Sequence, residues 1–237
     1  MRWPRRATPP PLHGGSTDSL NWSGYVVRPA KGTLINGVAS TFIVPKAGLA
    51  PPGFAATWAG IGGYNSSDLV QAGVAEQSAP NSPLGPQYYA WYELLPASET
   101  QLTNCSGERS CAVSPGQVVT VTIDRAATSS WTIVVADAGH WRWSKTVRYA
   151  STRSSAEWIL EAPSLVAAPT TLAPVGTVHF GPLATYTENG VTRALGAGSP
   201  TRVLLSPGAV NIATPSAITR GQLFNDCAYA QSCSRPR

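Results

Sequence analysis

The chain is punctuated throughout by proline and glycine. There are 21 Pro and 22 Gly among 237 residues, a composition of many turns and short strands rather than of helices. Runs such as "STFIVP", "TWAGIGG", "DLVQAGV", "QYYAWYELLP", "QVVTVTID", "WTIVVAD", "WRWSKTVRY", "SAEWILEAP", "GTVHFG" and "RVLLSP" follow one another at short intervals. Several alternate apolar and polar residues with period two, the pattern of a half-buried strand. No long segment has helical periodicity. "WTIVVAD-AGH-WRWSKTVRY" predicts a hairpin turning at Asp137 to His140. The sequence therefore predicts an all-β fold, an antiparallel two-sheet β-sandwich. The segment after "GTVHFG" is less regular, and "ALGAGSP" and "GAVNIATPSA" fit either loops or edge strands.

A chain of this length suits one large all-β domain, which buries about three quarters of its unfolded surface and needs no metal to hold its core. Residues 1–19 combine Arg, Pro, Gly and Ser with little to bury, and predict a disordered N-terminal arm. Order is expected from "NWSGYVV", giving a single domain over 20–237. The first twenty residues lack the apolar core of a signal peptide, and no stretch approaches the length of a membrane span. The net charge is +5, but the basic residues are scattered, with no basic stripe interleaved with aromatics. Nucleic acid is thus not an expected partner.

Cys105 and Cys111 are six positions apart, as are Cys227 and Cys233, and each pair brackets a turn-like segment. Four cysteines allow three connectivities, of which two local disulfides are preferred. The spacing is too wide for a zinc site, and His13, His140 and His179 are dispersed. Disulfides point to an oxidising compartment, hence a secreted or extracytoplasmic protein.

"SSAEWILEAPS" raises the functional question, because it places two glutamates among large apolar residues in a chain with 12 acidic residues. Strand parity sets Glu157, Ile159 and Glu161 on one face and Ala156, Trp158 and Leu160 on the other. Trp158 and Leu160 are expected between the sheets. The same treatment groups Tyr89, Trp91 and Glu93; Leu69, Gln71, Gly73 and Ala75; and Trp22 with Gly24. A sheet carrying these residues outward would form a groove for an extended polymer. No Gly-x-Ser-x-Gly elbow, His-Glu-x-x-His or Asp-Thr/Ser-Gly motif occurs. Glu157 and Glu161 would lie roughly 13 Å apart along one strand, too far for a glycosidase pair, whereas Glu93 and Glu157 on different strands could meet that distance.

Together these segments resemble the glutamic peptidases (eqolisins, peptidase family G1), in the form of their bacterial branch. The resemblance rests on "NWSGYVV", "TWAGIGG…LVQAGVAEQ", "YYAWYELLP" and "SSAEWILEAP", in family order from Asn21 to about Phe180. It implies a concanavalin A-like lectin/glucanase-type sandwich and an acid-acting endopeptidase that needs no cofactor. It maps a catalytic dyad onto Gln71 and Glu157, with Trp22, Trp58 and Glu93 lining the substrate cleft. Glu157 would activate water and Gln71 would stabilise the tetrahedral oxyanion. Glu161, next to Pro163 where the strand should end, is expected to be solvated and dispensable. Gly62 and Ala75 stand where fungal members carry Asp, and Glu76 follows. The expected partners are polypeptide substrates, with no membrane, and the protein is expected to act as a monomer. Two alternatives stay open: a β-sandwich glycoside hydrolase using Glu93 and Glu157, and a non-catalytic polymer-binding module.

Overall fold

The computed structural model describes residues 16–78, 83–165, 168–208 and 210–236. In chain order the strands are β1 (Ser16–Ser19), β2 (Trp22–Val27), β3 (Ile35–Ile43), β4 (Gly53–Ile61), β5 (Val70–Ser78), β6 (Gln87–Leu94) and β7 (Thr100–Gln101). There follow β8 (Val118–Ala127), β9 (Ser130–Asp137), β10 (Trp141–Arg148), β11 (Ala156–Glu161), β12 (Ser164–Leu165) and β13 (Ala168–Pro169). The last are β14 (Thr177–Phe180), β15 (Thr185–Glu188), β16 (Val191–Ala194), β17 (Thr201–Leu205), β18 (Ala213–Pro215) and β19 (Phe224–Ala228). One 3-10 turn, Leu195–Ala197, occupies the "ALGAG" segment that the sequence left between loop and strand.

The strands form two layers. The first runs β7-β6-β5-β4-β11-β2-β17-β1, antiparallel except for the parallel pair β1–β17. The second runs β10-β9-β8-β3, with β14 and β15 both pairing along the far side of β3, and β19 and β16 beyond them. β18 pairs with both β17 and β19, so the two layers are one continuous 17-stranded sheet folded over a core. β12 and β13 make a separate two-stranded ribbon just beyond β11.

Period-two alternation explains the layering. Val119, Val121 and Ile123 of β8 and Trp131, Ile133 and Val135 of β9 face inward. They meet Ala55, Ala59 and Ile61 of β4, Val70, Ala72 and Val74 of β5, and Trp158 and Leu160 of β11. The Trp158 indole Nε1 donates across the layers to the Ala39 carbonyl of β3 at 2.8 Å, so its polar atom is satisfied inside the sandwich. The β9–β10 hairpin turns where expected, with Gly139 at φ +81° at its tip.

Both local disulfides are present, Cys105–Cys111 and Cys227–Cys233. The predicted N-terminal arm needs correction: Ser16–Ser19 is strand β1, held along its length by β17. Ordered structure thus begins before residue 20. Parallel pairing satisfies the backbone of a segment whose composition offers little to bury, which composition alone does not reveal. Residues 1–15 of that arm lie outside the described residues.

Candidate active site

The outer face of the first layer carries a second apolar cluster. It comprises Trp22 and Val26 of β2, Ala56 and Trp58 of β4, Ala75 of β5, Trp91 of β6 and Ile159 of β11, with Tyr64, Leu69, Leu95 and Val203. Trp22, Leu69, Ala75, Trp91 and Ile159 of this cluster are residues that strand parity groups with Gly24, Gln71, Glu93 and Glu157. β11 is consequently buried on both sides, and its one partly exposed residue is the last, Glu161.

A pocket opens at the edge of this cluster. It is lined by Ala56, Gln71, Ala75, Trp91, Glu93 and Glu161, together with Leu95, Glu99, Pro163 and Ser164. Ala56 lies opposite Glu161 on one side and Ala75 on the other, so small side chains form the floor between the strand of Gln71 and that of Glu161.

Glu161 is fixed at both oxygens. Asn21 Nδ2 donates to Oε1 and Trp58 Nε1 donates to Oε2, each at 2.8 Å. Asn21 is itself fixed, since its carbonyl accepts the Ala162 amide at 2.8 Å. A carboxylate has about four acceptor sites, so two donors orient it and leave capacity for a water molecule. Gln71 is 4% exposed, and its Nε2 donates to Glu93 Oε2 at 2.6 Å. The amide has a second N–H for a ligand, and its Oε1 has no hydrogen-bond partner among the described residues.

Of the cleft residues expected from sequence, Gln71 and Glu93 line the pocket. The remaining expectations need correction. Trp22 and Trp58 are 1% and 0% exposed and do not line it. Their rings meet edge to face at 5.0 Å, and Trp58 in turn holds Glu161. They brace the carboxylate from beneath. Glu157 shares the face of Glu161 but is 0% exposed and is absent from the pocket wall.

The cause lies at Gly60, which sits opposite Glu157 on β4 and opposite Gln71 on β5. A Cβ at Gly60 would lie 2.9 Å from Leu69 Cδ1, 3.0 Å from Trp58 Cζ3 and 3.1 Å from Gln71 Cβ. The Trp58 ring and Leu69 therefore cover the strip between Glu157 and Gln71. Glu161, expected to be solvated, is instead the anchored carboxylate of the pocket. The glycosidase pair Glu93 and Glu157 is not assembled, because Glu157 does not reach the pocket.

Asn21, Glu99 and Ser164 were not singled out in the sequence. Asn21 lies inside the quoted "NWSGY" motif, and its role depends on a partner 140 positions away. Glu99 immediately precedes β7 and Ser164 opens the two-residue β12, elements too short for period-two reasoning.

Besides Glu157, Glu76 and Asp226 are fully buried carboxyls away from the pocket. Glu76 faces inward from β5, and burial pushes its pKa well above the ordinary value, although Thr57 Oγ1 donates to it. Asp226 on β19 accepts a bond from Ser23 Oγ of β2 at 2.7 Å. Burial raises its pKa to about 8, against the lowering effects of that bond and of Arg202.

The chain matches the model of the peptidase A4 family over residues 20–222, and it belongs to that family. By family it is therefore a peptidase. Among solved structures it is similar to scytalido-glutamic peptidase bound to a peptide-based transition-state analogue, with a TM-score of 0.69 and 17% identity, covering 89% of this chain and 98% of that one. It is also similar to SCP-B, a member of the eqolisin family of peptidases, in complex with the tripeptide Ala-Ile-His. There the TM-score is 0.64 and the identity 17%, with 90% of this chain and 99% of that one covered. At these identities the likeness is one of fold. A search of curated proteins found no match.

Proposed function

We propose that the protein hydrolyses peptide bonds with Gln71 and Glu161 as its catalytic pair. The observation that supports this most directly is the shared pocket: Gln71, Glu93 and Glu161 line it, whereas Glu157 is fully buried and absent from its wall. A general base must come within hydrogen-bond reach of the water it activates, so a fully buried carboxyl outside the pocket is poorly suited to the role.

In this reading a polypeptide lies across the Ala56 and Ala75 floor. Glu161, oriented by Asn21 and Trp58, takes a proton from a water that attacks the scissile carbonyl carbon. The carbonyl π electrons move to oxygen, and the second N–H of Gln71 donates to that oxyanion. Glu93 fixes the Gln71 amide through its first N–H, so the donor is in place before charge develops. Glu161 then delivers its proton to the leaving nitrogen as the C–N bond breaks, returning to carboxylate. One oxyanion donor of this kind is worth roughly 2.7–4 kcal/mol.

The test is digestion of a denatured protein across pH 2 to 8, with cleavage sites identified by mass spectrometry, for wild type and Glu161→Gln. Cleavage by the wild type that disappears in the variant supports the reading. Equal cleavage by both defeats the assignment of Glu161.

We also infer that the protein works in an oxidising compartment as a secreted monomer. Each disulfide closes a loop of six positions, which is within reach of a local bridge formed on export. Peptide mapping without reductant on the native protein is the check, and four free thiols would rule the compartment out.

A further inference from the structure

We propose that Glu99 is a specificity-determining residue that selects substrates with a lysine or arginine side chain beside the scissile bond. This rests on the peptidase reading of the pocket and adds to it a substrate class.

The mechanism above uses Gln71, Glu93 and Glu161 but leaves the third pocket carboxylate, Glu99, without a task. Glu99 precedes β7, whose Thr100 pairs with Tyr92 and whose Gln101 pairs with Trp91. Continuing that register by one step sets Glu99 opposite Glu93. Like charges directly opposite on neighbouring strands are destabilising. Here the conflict is built into a pocket that no basic side chain lines, in a chain whose net charge is +5. Tyr89 Oη donates to Glu99 Oε1 at 2.7 Å, so the carboxylate is held in position.

A cation is the complement to such a pocket. Its chemical class follows from the rest of the wall. Among the described residues, no group of three or more acidic, His or Cys side chains is close enough to hold a metal ion. The same wall carries apolar surface beside the carboxylates, from Trp91 and Leu95. A lysine or arginine fits this arrangement, laying its methylene stem on the apolar wall and its charge against a carboxylate.

Three lining residues also carry buried polar atoms that have no partner among the described residues: Gln71 Oε1, Trp91 Nε1 and Ser164 Oγ. They are an acceptor, a donor and a group that can be either, which matches the alternating N–H and C=O of a peptide backbone. They point to a polypeptide ligand independently of the carboxylates.

The experiment has two arms. Wild-type enzyme is first given a proteome-derived peptide library, and the residues flanking each cleavage are counted. Lys and Arg are expected to be enriched at one flanking position. Matched peptides with Lys or the neutral Gln at that position are then compared by kcat/KM for wild type, Glu99→Gln, Glu99→Asp and Glu99→Lys. The Lys/Gln ratio should be about tenfold in wild type, equivalent to about 1.4 kcal/mol. It should fall towards one in Glu99→Gln, survive in Glu99→Asp, and invert in favour of Glu-containing peptides in Glu99→Lys.

Cleavage of the library without any basic preference overturns the role of Glu99 while leaving the peptidase reading intact. A Lys/Gln ratio unchanged in Glu99→Gln does the same. Absence of any peptide cleavage by wild type defeats the peptidase reading and this inference with it.

Discussion

Trp58 on β4 donates its indole N–H to Glu161 on β11 at 2.8 Å, from a ring that is itself wholly buried. The bond ties the pocket carboxylate to the apolar cluster beneath it. Trp22 stands edge to face against that ring at 5.0 Å, so the orientation of Glu161 depends on the packing of two tryptophans.

Trp58→Phe keeps most of the ring and removes the donor. A hydrogen bond to a charged group contributes about 1.5–3 kcal/mol. The variant is expected to lose about tenfold to a hundredfold in kcat with little change in KM, because the lost bond orients the base and does not touch substrate. Steady-state kinetics on one quenched peptide checks the split.

The two glutamates of β11 should separate cleanly. Glu161→Gln is expected to lower kcat/KM by about a thousandfold or more, about 4 kcal/mol. Glu157→Gln is expected to change kcat/KM by less than about tenfold and to be felt in thermal stability instead, because Glu157 is fully buried outside the pocket. Kinetics and a melting curve on both variants provide the comparison. The opposite pattern would return the catalytic role to Glu157.

Gln71→Ala removes the proposed oxyanion donor and also the group that Glu93 holds at 2.6 Å. The expected loss in kcat is about a hundredfold to a thousandfold. Gln71→Glu replaces the donor with an acceptor facing Glu93, and should be at least as damaging. A rate within about threefold of wild type for Gln71→Ala would remove Gln71 from the chemistry.

Stability should peak at mildly acid pH. Asp226, pushed up to about 8 by burial, keeps a proton in the folded state that the unfolded chain gives up near pH 4. Its contribution is therefore fully present below about pH 4 and is lost as pH rises through about 8. Glu76, raised by burial, acts in the same direction. On the acid side, Glu188 is held low by Thr33, and hydrogen bonds from Thr152, Ser66 and Ser151 outweigh the upward effect of burial at Asp68. Their contributions vanish as pH falls below the ordinary carboxylate range. The melting temperature is expected to fall by ~10 °C or more between pH 4 and 8, at roughly 2–4 °C per kcal/mol for a chain of this size. Asp226→Asn should flatten that slope. An unchanged slope in the variant would exclude Asp226 as its source.

Much of this architecture can be read from spacing. Period-two alternation in "VVTVTI" and "SWTIVVAD" assigns the inward residues of β8 and β9, and the same parity sends Trp158 and Leu160 into the core and Ile159 to the outer face. The two disulfides follow the cysteine spacing. Each of these rests on neighbours a few positions apart, whose geometry the backbone repeat itself imposes.

Glu157 and Glu161 share that parity, which gives both the same face and does not rank them. Their difference comes from groups distant along the chain. Leu69 and the Trp58 ring cover the strip beside Glu157 because Gly60 has no Cβ to hold the ring away. Asn21 and Trp58, 140 and 103 positions from Glu161, supply its two donors. The strand repeat determined which way each side chain points. Only the packing of β2 and β4 on either side of β11 decided which carboxylate is sealed and which meets the pocket, because burial and hydrogen bonding depend on what the fold brings alongside.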